Sequence, residues 1–130
     1  GGCGSEKPLL DERLDTGKID EIKIVLAMGN PEYGAESKII TDKEEIQELT
    51  EIFSDAVLGD KVDDGDVAVC DTSNYCFYSQ GNLINKIIFN GNDTLRAFKD
   101  GKIYYVSYGE NIAPYEAYKK SDADVEIVYE

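Results

Sequence analysis

Apolar and polar residues alternate from Ile19 to Met28. Ile22, Ile24, Leu26 and Met28 share one side, and Lys23 lies on the other. A period of two marks a half-buried strand. Gly29-Asn30-Pro31 breaks the pattern, and Glu36 to Thr41 reads as a second short strand, the hairpin partner of the first. The period then changes. Thr41 can cap a helix, and Glu44 three residues later completes a capping box. Ile46, Leu49, Phe53 and Ala56 recur at steps of three, four and three. This predicts a core-facing stripe on a helix spanning about residues 42–57. Gly59 supplies the stop.

Beyond an acidic loop at residues 60–66 the chain reads as strands separated by turns. Val67 to Cys70 and Tyr75 to Ser79 flank Asp71-Thr72-Ser73-Asn74. Gly81-Asn82 leads into Leu83 to Phe89. Asn90-Gly91-Asn92-Asp93 is a turn before Leu95 to Phe98, and Asp100-Gly101 is a two-residue hairpin signal before Ile103 to Tyr108. Residues 113–120, with Pro114 near the first turn, form a short helix. Val125 to Tyr129 alternates apolar and acidic residues and closes the chain as a strand. The pattern predicts an α+β fold. Its sheet is mostly antiparallel, with about 6–7 strands and the main helix packed on one face. Residues 1–17, with glycines, a proline and mixed charges, read as a tether. Residues 18–130 read as a single domain.

Charge changes the picture of what such a domain meets. The 130 residues carry 27 acidic and 13 basic side chains, a net charge of −14. That surface repels phosphate backbones, so nucleic acid is not an expected partner. Cationic or neutral envelope proteins, peptides or glycans are. Ten acidic residues and two lysines lie between Asp42 and Asp66, and Glu44, Glu48 and Glu51 fall on the helix side opposite the apolar stripe. These residues make either a docking face for a basic partner or a solvated surface. The chain has no histidine. That removes the commonest general base and the commonest metal ligand. There is no Gly-x-Ser-x-Gly elbow, P-loop or dinucleotide fingerprint, and no cofactor is expected.

Three further groups carry candidate chemistry. Asp60, Asp64 and Asp71 fall at positions one, five and twelve of a calcium-loop-like segment, with Gly65 at six. Val62 at position three and Asp instead of Glu at twelve depart from that pattern. Cys70 and Cys76 are placed opposite each other if a turn centres on Ser73. They are then either a cross-strand disulfide or two buried thiols. Tyr104, Val106 and Tyr108 share one face of their strand and make an aromatic platform if that face is the one without the helix; ordinary strand composition is the alternative.

Near the start stands Gly2-Cys3-Gly4-Ser5, followed by a polar, breaker-containing run. It resembles the cut end of a bacterial lipobox. With Ile46 to Phe53 and Asp100-Gly101-Lys102-Ile103-Tyr104-Tyr105, the layout is similar to small uncharacterised lipoproteins of Gram-positive bacteria. That resemblance implies a diacylglyceryl group on Cys3. It also implies contact with the membrane through that lipid and a place on the extracellular face of the cytoplasmic membrane. The function expected is non-enzymatic binding. An envelope hydrolase or transferase using paired carboxylates, or a calcium-responsive regulatory lipoprotein, are the alternatives.

Overall fold

The computed structural model describes residues 18–26, 32–53, 56–62, 73–89, 95–99, 102–107 and 114–129. They form an α+β fold of one antiparallel sheet and two helices. In chain order these are β1 (Glu21–Val25), β2 (Ala35–Ile40), α1 (Lys43–Ile52), β3 (Val57–Lys61), β4 (Ser73–Ser79), β5 (Asn82–Phe89), β6 (Leu95–Lys99), β7 (Lys102–Ser107), α2 (Pro114–Lys120) and β8 (Val125–Val128). The spatial order is β3-β7-β6-β5-β4-β1-β2-β8.

The alternation read from the sequence places the core. β1 pairs with β2 as the expected hairpin, Ile22 opposite Ile40, and with β4 on its other side, Ile22 opposite Phe77 and Ile24 opposite Tyr75. Tyr75 in turn lies opposite Ile87, and Ile87 opposite Ala97. This row of buried side chains meets Ile46 and Leu49 from α1, Phe53 just after it, and Ala117 and Tyr118 from α2. Both helices therefore cover the same face. Phe53 sits edge-on to Tyr75 and Phe77, with ring centroids 5.2 and 5.8 Å away. Such pairs add to the gain from area burial alone. The β4–β5 hairpin turns through Gln80 and Gly81, both at positive φ. That is the mirror-image turn whose twist suits two flanking strands.

Three expectations are corrected. The N-cap of α1 is Asp42, not Thr41; its carboxylate accepts from the Glu45 backbone N–H at 3.0 Å. The helix ends at Ile52 with Phe53 as its C-cap, and does not run to residue 57. Val57 to Lys61 instead forms an eighth strand paired with β7. Gly59 lies inside that strand, where a Cβ would stand 3.3 Å from the Tyr105 carbonyl oxygen. Close strand approach, not helix termination, accounts for this glycine. Finally, Ser73 and Asn74 belong to β4 and not to a turn, with Asn74 opposite both Val25 and Ile88.

Candidate functional site

The sequence-derived candidates do not converge. Glu44, Glu48 and Glu51 are exposed on α1, with Gln47 Nε2 donating to Glu51 Oε2 at 3.4 Å. The acidic face exists as an exposed surface. Asp60 is exposed in β3, while Asp64 and Asp71 lie outside the described residues, as does Cys3. Among the described residues no group of three acidic or cysteine side chains is placed to hold a metal ion. Nor is any carboxylate side chain buried among them.

The aromatic platform requires Tyr104 and Val106 on the face away from the helices. They are on the helix-bearing face, packed against the core. Their neighbours Ile103 and Tyr105 alternate onto the other side. Tyr108 lies outside the described residues.

Cys76 is a buried, free thiol. The ladder neighbours of Cys76 are Lys23 of β1 and Lys86 of β5. Cys70 itself lies outside the described residues. Burial pushes the Cys76 thiol up from its ordinary pKa, against the opposing pull of the two lysines. Its Sγ donates to Asn74 Oδ1 at 3.4 Å. A thiol held protonated in this way is a poor nucleophile at neutral pH.

Two features escaped the sequence reading. The first is Lys38, the one buried cation among the described residues. Its Nζ donates to the carbonyl oxygens of Tyr118 and Ser121, both at 2.8 Å, and stands 4.4 Å from the centre of the Tyr118 ring. Carbonyls at a helix C-terminus lack partners and carry partial negative charge, so they suit an ammonium group. The Tyr118 hydroxyl donates to Glu36 Oε1 at 2.7 Å. Burial, then that carboxylate, pushes the phenol up to about 12. Lys38 and Glu36 of β2 thus clamp the end of α2. Within the Glu36 to Thr41 segment no local pattern marks Lys38 as buried.

The second is an apolar edge. β8 is the last strand of the sheet, and Val125, Ile127 and Tyr129 are 53, 45 and 67% exposed. Tyr33, 73% exposed, precedes Gly34. Gly34 comes so close to β8 that an added Cβ would meet Ile127 Cγ2 at 2.6 Å and the Val128 carbonyl oxygen at 2.8 Å. Four exposed large apolar residues therefore lie in or beside this edge strand. The alternation of Val125 to Tyr129 was legible as a strand; its place at the rim was not. The other edge, β3, carries a register shift between Leu58 and Lys61, with Asp60 and Lys61 exposed. Irregularity and charge of that kind discourage strand pairing.

A groove of about 460 Å³ lies beside α1, with Lys18, Asp20, Lys43, Gln47 and Thr50 around Ile46. Asp20 is already engaged there, its Oδ2 accepting from the Gln80 N–H at 2.9 Å. No family model matches this chain, and comparison with curated proteins and with solved structures finds no match.

Proposed function

We propose that this chain is a non-enzymatic binding domain, anchored by lipid on Cys3 at the outer face of the cytoplasmic membrane. The observation that carries the binding role is the grouping of Tyr33, Val125, Ile127 and Tyr129 at the β8 edge. Single exposed apolar residues need no explanation, but four in or beside one edge strand favour an interaction site. The Gly2-Cys3 resemblance to a processed lipobox supports the anchor. The net charge of −14 favours a domain that stands off anionic lipid.

A photo-reactive amino acid at position 127, in cells producing the full chain, tests this reading. It is expected to crosslink an envelope component, whereas the same probe at Asp60 on the opposite edge gives none. Equal labelling from both positions, or none from either, would sink the reading.

A further inference from the structure

We infer that β8 accepts an added strand, and that the strand it takes is an extended segment of another protein in which apolar and basic residues alternate. This deepens the binding reading and rests on it.

The backbone geometry comes first. The Leu26 N–H donates to the Glu36 carbonyl oxygen at 2.9 Å, so the polar groups of Glu36 are turned toward β1. In an antiparallel ladder, successive residues address opposite neighbours. Ala35 and Ser37 therefore address β8, where their partners are Val128 and Glu126. The N–H and C=O groups of Val125 and Ile127 are thus the ones turned away from the sheet. Among the described residues no strand lies beyond them. An open row of donors and acceptors is a template for another strand.

The side chains then select the partner. Val125 and Ile127 stand opposite Lys38 and Glu36 and project on the helix-bearing side, while Glu126 projects on the other. An incoming strand meets apolar contacts on one face and a carboxylate on the other. Asp122, Asp124, Glu126 and Glu36 are all exposed there, against Lys119 and Lys120 at the end of α2. Lys119 stands 4.5 Å from the centre of the Tyr115 ring. A second copy of a chain with net charge −14 brings more acid to this rim. A strand with lysine or arginine at alternate positions brings complementary charge instead.

The test uses the full chain and a fluorescein-labelled eight-residue peptide alternating valine and lysine. Controls replace lysine by glutamate, or N-methylate alternate amides of the peptide. Saturable binding is expected with a Kd on the order of 10–100 μM, weakening with salt, and at least about tenfold tighter than either control. Amide hydrogen exchange at Val125 and Ile127 is expected to slow when the peptide binds. Ile127→Lys is expected to weaken binding about tenfold or more by replacing an apolar contact with a like charge. The exchange measurement on the unsubstituted protein stands even if that variant fails to fold. No saturable binding would overturn the inference, as would binding without slowed exchange at those two amides. Slowed exchange that depends on protein concentration alone would overturn it in favour of a second copy. A crosslink from position 127 combined with any of these negative results would leave the binding domain standing and remove only its basic-strand partner.

Discussion

Replacing Lys38 by methionine probes the buried link between β2 and the end of α2. Methionine fills nearly the same apolar space, so the change creates little cavity and isolates the ammonium group. Two hydrogen bonds of 2.8 Å vanish; the Ser121 carbonyl loses this donor in a buried setting, while the Tyr118 carbonyl keeps the Ser121 N–H at 3.3 Å. A hydrogen bond to a charged group contributes about 1.5–3 kcal/mol net, and a buried polar atom left without a partner costs about 1–3 kcal/mol. Loss of the contact with the Tyr118 ring adds about 0.5–2 kcal/mol. These contributions overlap, and the ammonium no longer has to be desolvated, which returns part of the loss. A net destabilisation of about 3 kcal/mol follows. The assay is urea unfolding followed by far-UV circular dichroism. The midpoint should fall while the slope is unchanged, since the surface exposed on unfolding is nearly the same. An apolar residue can match or improve on a buried ion when both charged partners are replaced. Here the acceptors are backbone carbonyls that remain. A loss below about 1 kcal/mol, or a gain, would refute the clamp as a net stabilising feature.

Three other predictions follow from the same geometry. The Tyr118 phenol is raised to about 12 from an ordinary value of 10.0. The folded state therefore holds this proton more tightly than the unfolded chain; the stability it contributes is complete below about pH 10 and fades as pH rises toward 12, and Tyr118→Phe should flatten that part of the pH–stability curve. Asp42→Ala should cost about 1 kcal/mol in urea unfolding, whereas Thr41→Ala should cost much less, because Asp42 holds the cap bond. Gly34→Ala should cost about 2–4 kcal/mol and speed amide exchange in β8, since Gly34 has φ +73° and no room for a Cβ; unchanged exchange there would contradict the close packing.

The sequence made the periodic elements legible and left their long-range consequences hidden. The β1–β2 hairpin and the stripe of Ile46, Leu49 and Phe53 were readable because their partners lie nearby or their period is regular. The end of α1 was not. Ala56 continues the helical spacing, and only the pairing of Leu58 with Val106 across the sheet draws Val57 to Lys61 into a strand. Ser73 and Asn74 have turn-forming side chains, yet Ser73 pairs with Phe89 of β5, and Asn74 lies between Val25 of β1 and Ile88 of β5. The strand from Lys102 to Ser107 carries apolar residues on both sides, so its alternation defined two faces without saying which met the core. That ambiguity left the face of Tyr104 and Val106 open. The β8 edge depended on strand order, which no local pattern encodes.

Whether the binding domain is tethered outside the cell is decided by intact-mass and peptide mass spectrometry of the native protein, extracted from membranes with detergent. A diacylglyceryl mass on the peptide bearing Cys3 is expected, with Cys76 reduced, and membrane retention should be lost in a Cys3→Ser variant. An unmodified Cys3 in protein recovered from the cytosol would contradict the tether.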